Sequence, residues 1–176
     1  MTRLTTGTGL RLRPWSPADA PAVLAAFAAP LMSRQAAGPV LTEDDAQRWI
    51  AQWESGRAAD RAHAFAVTDP AGPVLGHVCV SAVDRRHRTG WVSYWTVPAA
   101  RGRGAATEGT RALADWALTD LGLFRLELGH RTDNPASCRV AAAAGFTVEG
   151  LERAKLEYDG LRYDVELHAR LATDAG

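Results

Sequence analysis

Apolar and polar positions alternate or recur along most of the chain, and their periods predict its elements. Leu10-Arg11-Leu12-Arg13 alternates as a half-buried strand does. Ser16-Pro17-Ala18-Asp19 then supplies an N-cap, a first-turn proline and an acidic third position, predicting a helix to about Ala29. Thr42-Glu43-Asp44-Asp45 opens a second helix, on which Trp49 and Trp53 share a face at i and i+4. Those rings either pack onto a sheet or line a groove. Strands are expected over 64–68 and 76–83, separated by the turn Asp69-Pro70-Ala71-Gly72-Pro73, and over 91–97. A helix from about Ala105 carries Ala106, Thr110, Leu113, Ala114, Ala117 and Leu121 on one stripe and stops at Gly122. A strand follows at 124–128, then a helix capped by Asn134 with Pro135 in its first turn, ending at Gly145. Strands at 147–158 and 161–171 meet at an Asp159-Gly160 hairpin turn. This order implies an α/β sandwich around a mixed, largely antiparallel sheet.

Composition narrows the class. A chain of 176 residues without an internal repeat or linker reads as a single domain over 1–176. With 47% hydrophobic and 23% charged residues the composition is that of an ordinary globular protein, with no run long enough to span a membrane. The first residues lack the apolar core of a signal peptide, so a cytoplasmic protein with no membrane partner is expected. Zero formal net charge and a pI of about 7.0 argue against a nucleic-acid partner. The basic run Arg85-Arg86-His87-Arg88 fits a solvated hairpin tip, or a loop near bound phosphates. Cys79 and Cys138 form no disulfide framework, Cys79 reads as a packing residue, and the five histidines show no metal-ligand spacing along the chain.

Candidate chemistry enters between the strand at 91–97 and the helix at Ala105, where Arg101-Gly102-Arg103-Gly104 stands. A helix start offers N–H groups without intrahelical partners, and glycines admit a bulky anion close to the main chain. The segment therefore reads as a pyrophosphate cradle, although a glycine-rich connection of no function has the same composition. Gly104 is followed by Ala105-Ala106-Thr107 rather than Lys-Ser/Thr, which excludes a Walker loop, and Thr107 stands where a dinucleotide fingerprint needs its third glycine. What remains, Arg-x-x-Gly-x-Ala over 101–106, resembles the acyl-coenzyme A loop of the GNAT N-acetyltransferases. Asn134-Pro135-Ala136-Ser137 and Gly145-Phe146-Thr147-Val148-Glu149-Gly150 are similar to the Asn-x-x-Ser and Gly-Phe-x-x-Glu-Gly motifs of the branch containing the ribosomal-protein N-terminal alanine/serine acetyltransferases. Tyr94-Trp95 matches its Tyr-Trp, with Ser93 replacing glycine. Order and spacing agree from about residue 10 to 171.

The resemblance implies a GNAT-like mixed, mostly antiparallel sheet of about seven strands, with about four helices on its two faces, splayed at the acyl-CoA site. It implies acetyl-CoA as co-substrate, no metal, and a primary amine acceptor, either a peptide N-terminus or a small molecule, in a monomer or homodimer. Main-chain groups around Trp95 to Val97 would pair with the pantetheine arm, and an amide near Trp95 or Val97 would face the thioester oxygen. Arg101, Gly102, Arg103, Gly104, Ala105 and Ala106 would hold the pyrophosphate. Asn134 caps its helix and by resemblance contacts the pantetheine. Ser137 would protonate the leaving thiolate, and Arg139 is a solvated or phosphate-adjacent cation. The chain departs from the family at the base, because Trp91 occupies the position of the frequent strand glutamate. Glu157 and Glu149 are the remaining candidates. Glu157 faces the wrong way in a regular strand, and Glu149 is more often a structural partner. An α-amine, with a pKa near 7.7 to 8.0, is partly neutral at pH 7 and needs no strong base. Two alternatives stay open: another acyl group such as succinyl, and a non-catalytic acyl-CoA-binding module. Loops at about 29–41 and at Asp159-Gly160 would select the acceptor.

Overall fold

A computed structural model describes residues 2–30, 32 and 38–174. Eight strands form one sheet in the order β1-β2-β3-β4-β5-β6-β8-β7. They are β1 (Leu4–Thr5), β2 (Arg11–Pro14), β3 (His63–Thr68), β4 (Val74–Asp84), β5 (Thr89–Thr96), β6 (Arg125–Arg131), β7 (Thr147–Tyr158) and β8 (Leu161–Leu171). The eighth strand beyond the seven expected is β1, whose two residues are too few to carry an alternation. The helices are α1 (Ala20–Phe27), α2 (Glu43–Ala58), α3 (Ala105–Thr119) and α4 (Pro135–Ala143). Part of the expected acceptor-selecting loop, residues 31 and 33–37, lies outside the described residues.

Local chemistry starts the helices where the caps predict. Ser16 and Asp19 form a complete capping box over a short 3₁₀ turn that leads into α1, and Arg13 holds Asp19 at 2.7 Å through each of two N–H groups. Thr42 and Asp45 form a second box at the start of α2. Strand alternation then sends side chains to two cores. Phe65 and Val67 of β3 join Leu113, Ala114 and Ala117 of α3, Ala141 of α4 and Ala144 just beyond it on one face. Ala64 and Ala66 face the other way, with Val23 and Phe27 of α1 and Ala46, Trp49 and Ile50 of α2. Burying each of the large side chains is worth roughly 1.5 to 3 kcal/mol.

The stripe of α3 is rotated slightly from expectation. Ala105 and Gly109 are buried with Thr110, Leu113, Ala114 and Ala117, while Ala106 is half-buried. The reason is Gly109, where a Cβ would stand 2.9 Å from Val67 Cγ2 and 3.1 Å from Val78 Cγ1. Without that Cβ the helix seats directly on β3 and β4. The Arg85 to Arg88 turn lies at the opposite end of β5 from the glycine-rich loop, so it is not a phosphate loop. It is exposed yet engaged: Arg85 pairs with Asp60 and donates to the Leu121 carbonyl, and Arg88 donates to the Gly122 carbonyl.

Every neighbouring pair of strands is antiparallel except β5 and β6. Those two run parallel because α3 carries the chain across between them. Their pairing covers only Thr89, Gly90 and Trp91 opposite Arg125, Leu126 and Glu127. Beyond it the two strands part, and the gap positions everything below.

Candidate active site

A cleft of about 660 Å³ opens where β5 and β6 diverge. Its walls bring together Tyr94, Trp95 and Thr96 from β5, the loop into α3, and the first turn of α4. Of the residues singled out by motif, Trp95, Arg101, Gly102, Gly104, Ala105, Ala106, Asn134, Ser137 and Arg139 line it. Two residues that the motifs leave aside, Arg131 and Asp133, line it as well. The Arg-x-Asp spacing at the end of β6 is the only sequence signal for them.

The loop is shaped for an anion. Gly102 and Gly104 take φ values of +72° and +79°, and a Cβ on either would meet nothing within 4 Å. The glycines are therefore required by backbone conformation and not by crowding within the chain. Gly104 is the N-cap of α3 and no side chain caps that helix. The N–H groups of its first turn are left for a ligand, at the positive end of the helix dipole. Arg101, Arg103 and Arg139 make no ion pair among the described residues. Arg103 is exposed and lies just outside the cleft wall.

The main chain of β5 does not divide as the motif suggests. The Val97 N–H donates to the Leu75 carbonyl at 2.9 Å, and Val97 is not part of the wall. Because hydrogen-bonded pairs alternate along an antiparallel ladder, Trp95 opposite His77 is likewise turned toward β4. The N–H and C=O groups that face the gap belong to Tyr94 and Thr96. One residue of register, set by tertiary pairing, separates the two assignments.

At the other end, Asn134 Oδ1 accepts the Ser137 N–H at 3.2 Å, and its amide nitrogen donates to Ser137 Oγ at 3.2 Å. The Ser137 hydroxyl thus keeps its own proton free for an acceptor in the cleft. Tyr94 Oη donates to the Ser137 carbonyl at 3.0 Å, tying β5 to α4 across the gap, and burial raises the Tyr94 phenol above its ordinary pKa.

Neither candidate glutamate reaches the cleft. Glu149 forms a two-point pair with Arg125, at the far end of β6 from Arg131, and the guanidinium holds its carboxyl below the usual range. A general base requires the opposite shift. Glu157 is exposed on the β7–β8 hairpin, paired with Arg162 at 2.6 Å. Among the described residues the one carboxylate on the wall is Asp133, held by two 2.8 Å bonds from Arg131. Trp91 is half-buried on β5 with the Lys155 ammonium 5.8 Å from its ring.

An open mixed α/β sheet parted between two parallel strands, with a glycine cradle at a helix start, defines a class of fold that offers an anion a cleft at the parting. Residues 9–147 match the acetyltransferase (GNAT) domain family, and the chain belongs to it. A probable N-acetyltransferase of Bacillus subtilis (strain 168), YjcK, is 34% identical over 87 residues, 49% of this chain and 48% of its own. The ribosomal-protein-serine acetyltransferase of Escherichia coli (strain K12) is 29% identical over 99 residues, 56% of this chain and 55% of its own. The chain thus spans about half the length of the curated relatives it matches. A solved structure of RimL, the ribosomal L7/L12 α-N-protein acetyltransferase, in complex with coenzyme A superposes with a TM-score of 0.86 at 20% identity, covering 97% of this chain and 98% of that one. No described helix is long and apolar enough to cross a membrane.

Proposed function

We propose that this protein transfers an acetyl group from acetyl-CoA to a primary amine, with α-amines and other weakly basic amines as acceptors. One observation carries the reading. A single cleft holds an uncapped helix start at one end and the Ser137 hydroxyl at the other, on either side of an unpaired strand edge. The pyrophosphate sits on the first N–H groups of α3, with Arg101 and Arg139 as counter-charges. The pantetheine amides pair with the gap-facing groups of Tyr94 and Thr96, as an added strand pairs with a sheet edge. The neutral amine attacks the thioester carbon and the tetrahedral oxyanion takes a main-chain N–H from the same edge. Collapse expels the thiolate, which accepts the Ser137 proton while Ser137 regains one through solvent, balancing the proton that the amine gives up.

No free carboxylate among the described residues borders the cleft, so the enzyme selects the neutral fraction of its acceptor and the proton leaves through water. Amines of differing basicity, assayed by release of free coenzyme thiol, should therefore give kcat/KM profiles displaced along the pH axis with the acceptor's own pKa. One common pKa near 6 to 7 for every acceptor would reveal a tuned base and refute the water-mediated step. Coenzyme binding without turnover over a broad amine panel would overturn catalysis in favour of a binding module.

A further inference from the structure

Beneath the first turn of α4, on the sheet side and outside the cleft wall, four side chains with metal-binding atoms converge. The ladder sets His130 of β6 directly opposite Glu166 of β8, and Leu128 opposite His168. His130, Glu166 and His168 therefore project from one face of the sheet, two residues apart along each strand. Cys138 reaches down to them from α4, and the four ligand atoms all lie within 4.8 Å of one another.

The donors stand close together, four of their separations running from 2.9 to 3.6 Å. His130 Nε2 is 2.9 Å from His168 Nε2 and 3.4 Å from Glu166 Oε1. Glu166 Oε1 is 3.0 Å from His168 Nε2 and 3.6 Å from Cys138 Sγ. Ligands bound tetrahedrally at about 2.0 to 2.3 Å stand about 3.3 to 3.8 Å apart, so a small relaxation seats an ion among them. The partner behind His130 points the same way. His130 Nδ1 lies 3.0 Å from the Arg131 carbonyl, which only accepts, so the neutral ring carries its proton there and turns a bare Nε2 toward the cluster. A carbonyl behind a histidine in this manner is the usual outer support of a metal ligand. His168 Nε2 must then carry the one proton shared with His130 and Glu166, which leaves its buried Nδ1 without a partner among the described residues. Imidazole, thiolate and carboxylate together suit a tetrahedral zinc-type ion.

We infer that His130, Cys138, Glu166 and His168 form a binding site for one zinc-type divalent ion, joining β6, β8 and the start of α4. On binding, Cys138 releases its thiol proton to solvent and His168 moves its ring proton from Nε2 to Nδ1. The four ligands come from three elements and from spacings of 8, 28 and 2 residues, so no linear motif announces them.

The test uses the tag-free chain, titrated with Zn²⁺ against a chromophoric chelator and with Co²⁺ followed by absorption. One equivalent should bind, with a sulfur-to-cobalt charge-transfer band and the intense visible bands of a tetrahedral site. Zinc at about 100 times its Kd should raise Tm by roughly 5 to 10 °C. Cys138→Ser, at a half-exposed position, should abolish the charge-transfer band and weaken zinc by about 100-fold or more. His130→Gln should weaken zinc comparably. Absence of stoichiometric binding by the wild type would reduce the four residues to a hydrogen-bonded network and overturn the inference. Undiminished affinity in Cys138→Ser would place the ion elsewhere and overturn it equally.

Discussion

Ser137 owes its chemical freedom to its neighbour. Asn134 satisfies both the Ser137 N–H and one Oγ lone pair, so the backbone cap does not depend on the hydroxyl. Ser137→Ala should therefore fold normally and bind coenzyme unchanged, while turnover falls about 10- to 100-fold for want of a general acid. Stopped-assay kinetics beside calorimetry separate the two quantities, and wild-type turnover would leave Ser137 a mere helix residue. Asn134 and Ser137 were legible in the sequence because their partnership is local, three residues apart in one helical turn. The partners of Glu149 and Glu157 were not, because Arg125 and Arg162 meet them only through strand pairing. A bulge between Glu152 and Leu156, with Ala154 at φ +52°, further breaks the simple alternation along β7.

At the scale of elements, the join of loop and helix at Gly104 is the sensitive point. Its φ of +79° disfavours any L-residue whatever the space around it. Gly104→Ala should thus cost about 1 to 2 kcal/mol of strain and weaken coenzyme binding about tenfold as the first N–H groups of α3 swing away. Urea unfolding and calorimetry on the same sample check both, and full affinity in the variant would detach the cradle from the coenzyme. Most elements were readable. Capping boxes at Ser16 and Thr42 mark helix starts by side-chain chemistry, and β7 and β8 run over the predicted residues. What escaped reading was relational: the seat of α3 on Val67 and Val78, and the residues of β5 that face the gap.

For the whole molecule, the aromatic cluster between the sheet and α1–α2 sets an acid limit. His77 stacks on Trp95 at 5.5 Å, lies 5.1 Å from Trp49 and accepts the Trp15 N–H on Nδ1 at 3.0 Å. Burial pushes its pKa down to about 3 from an ordinary 6.5. Below pH 6.5 the unfolded chain takes up a proton that the folded protein refuses. Stability is therefore complete above that pH and declines as pH falls, by about 1.4 kcal/mol per unit. Urea unfolding should show about 2 kcal/mol less stability at pH 5 than at pH 7, a loss that His77→Gln removes while still offering Trp15 an acceptor. Equal stability at both values would mean that the folded protein protonates His77 freely.

The brief pairing of β5 with β6 has a mechanical side. Five strands lie to one side of that seam and three to the other, and three residue pairs are all the ladder that joins them. The sheet is in effect two plates sharing a short hinge, with Tyr94 to Ser137 as a latch at the open end. A guest that lodges its own amides in the opening completes the row of strands and locks the plates. Amide hydrogen exchange along β5 beyond Trp91 should accordingly slow on occupancy, so that the protein reports its own loading without a label.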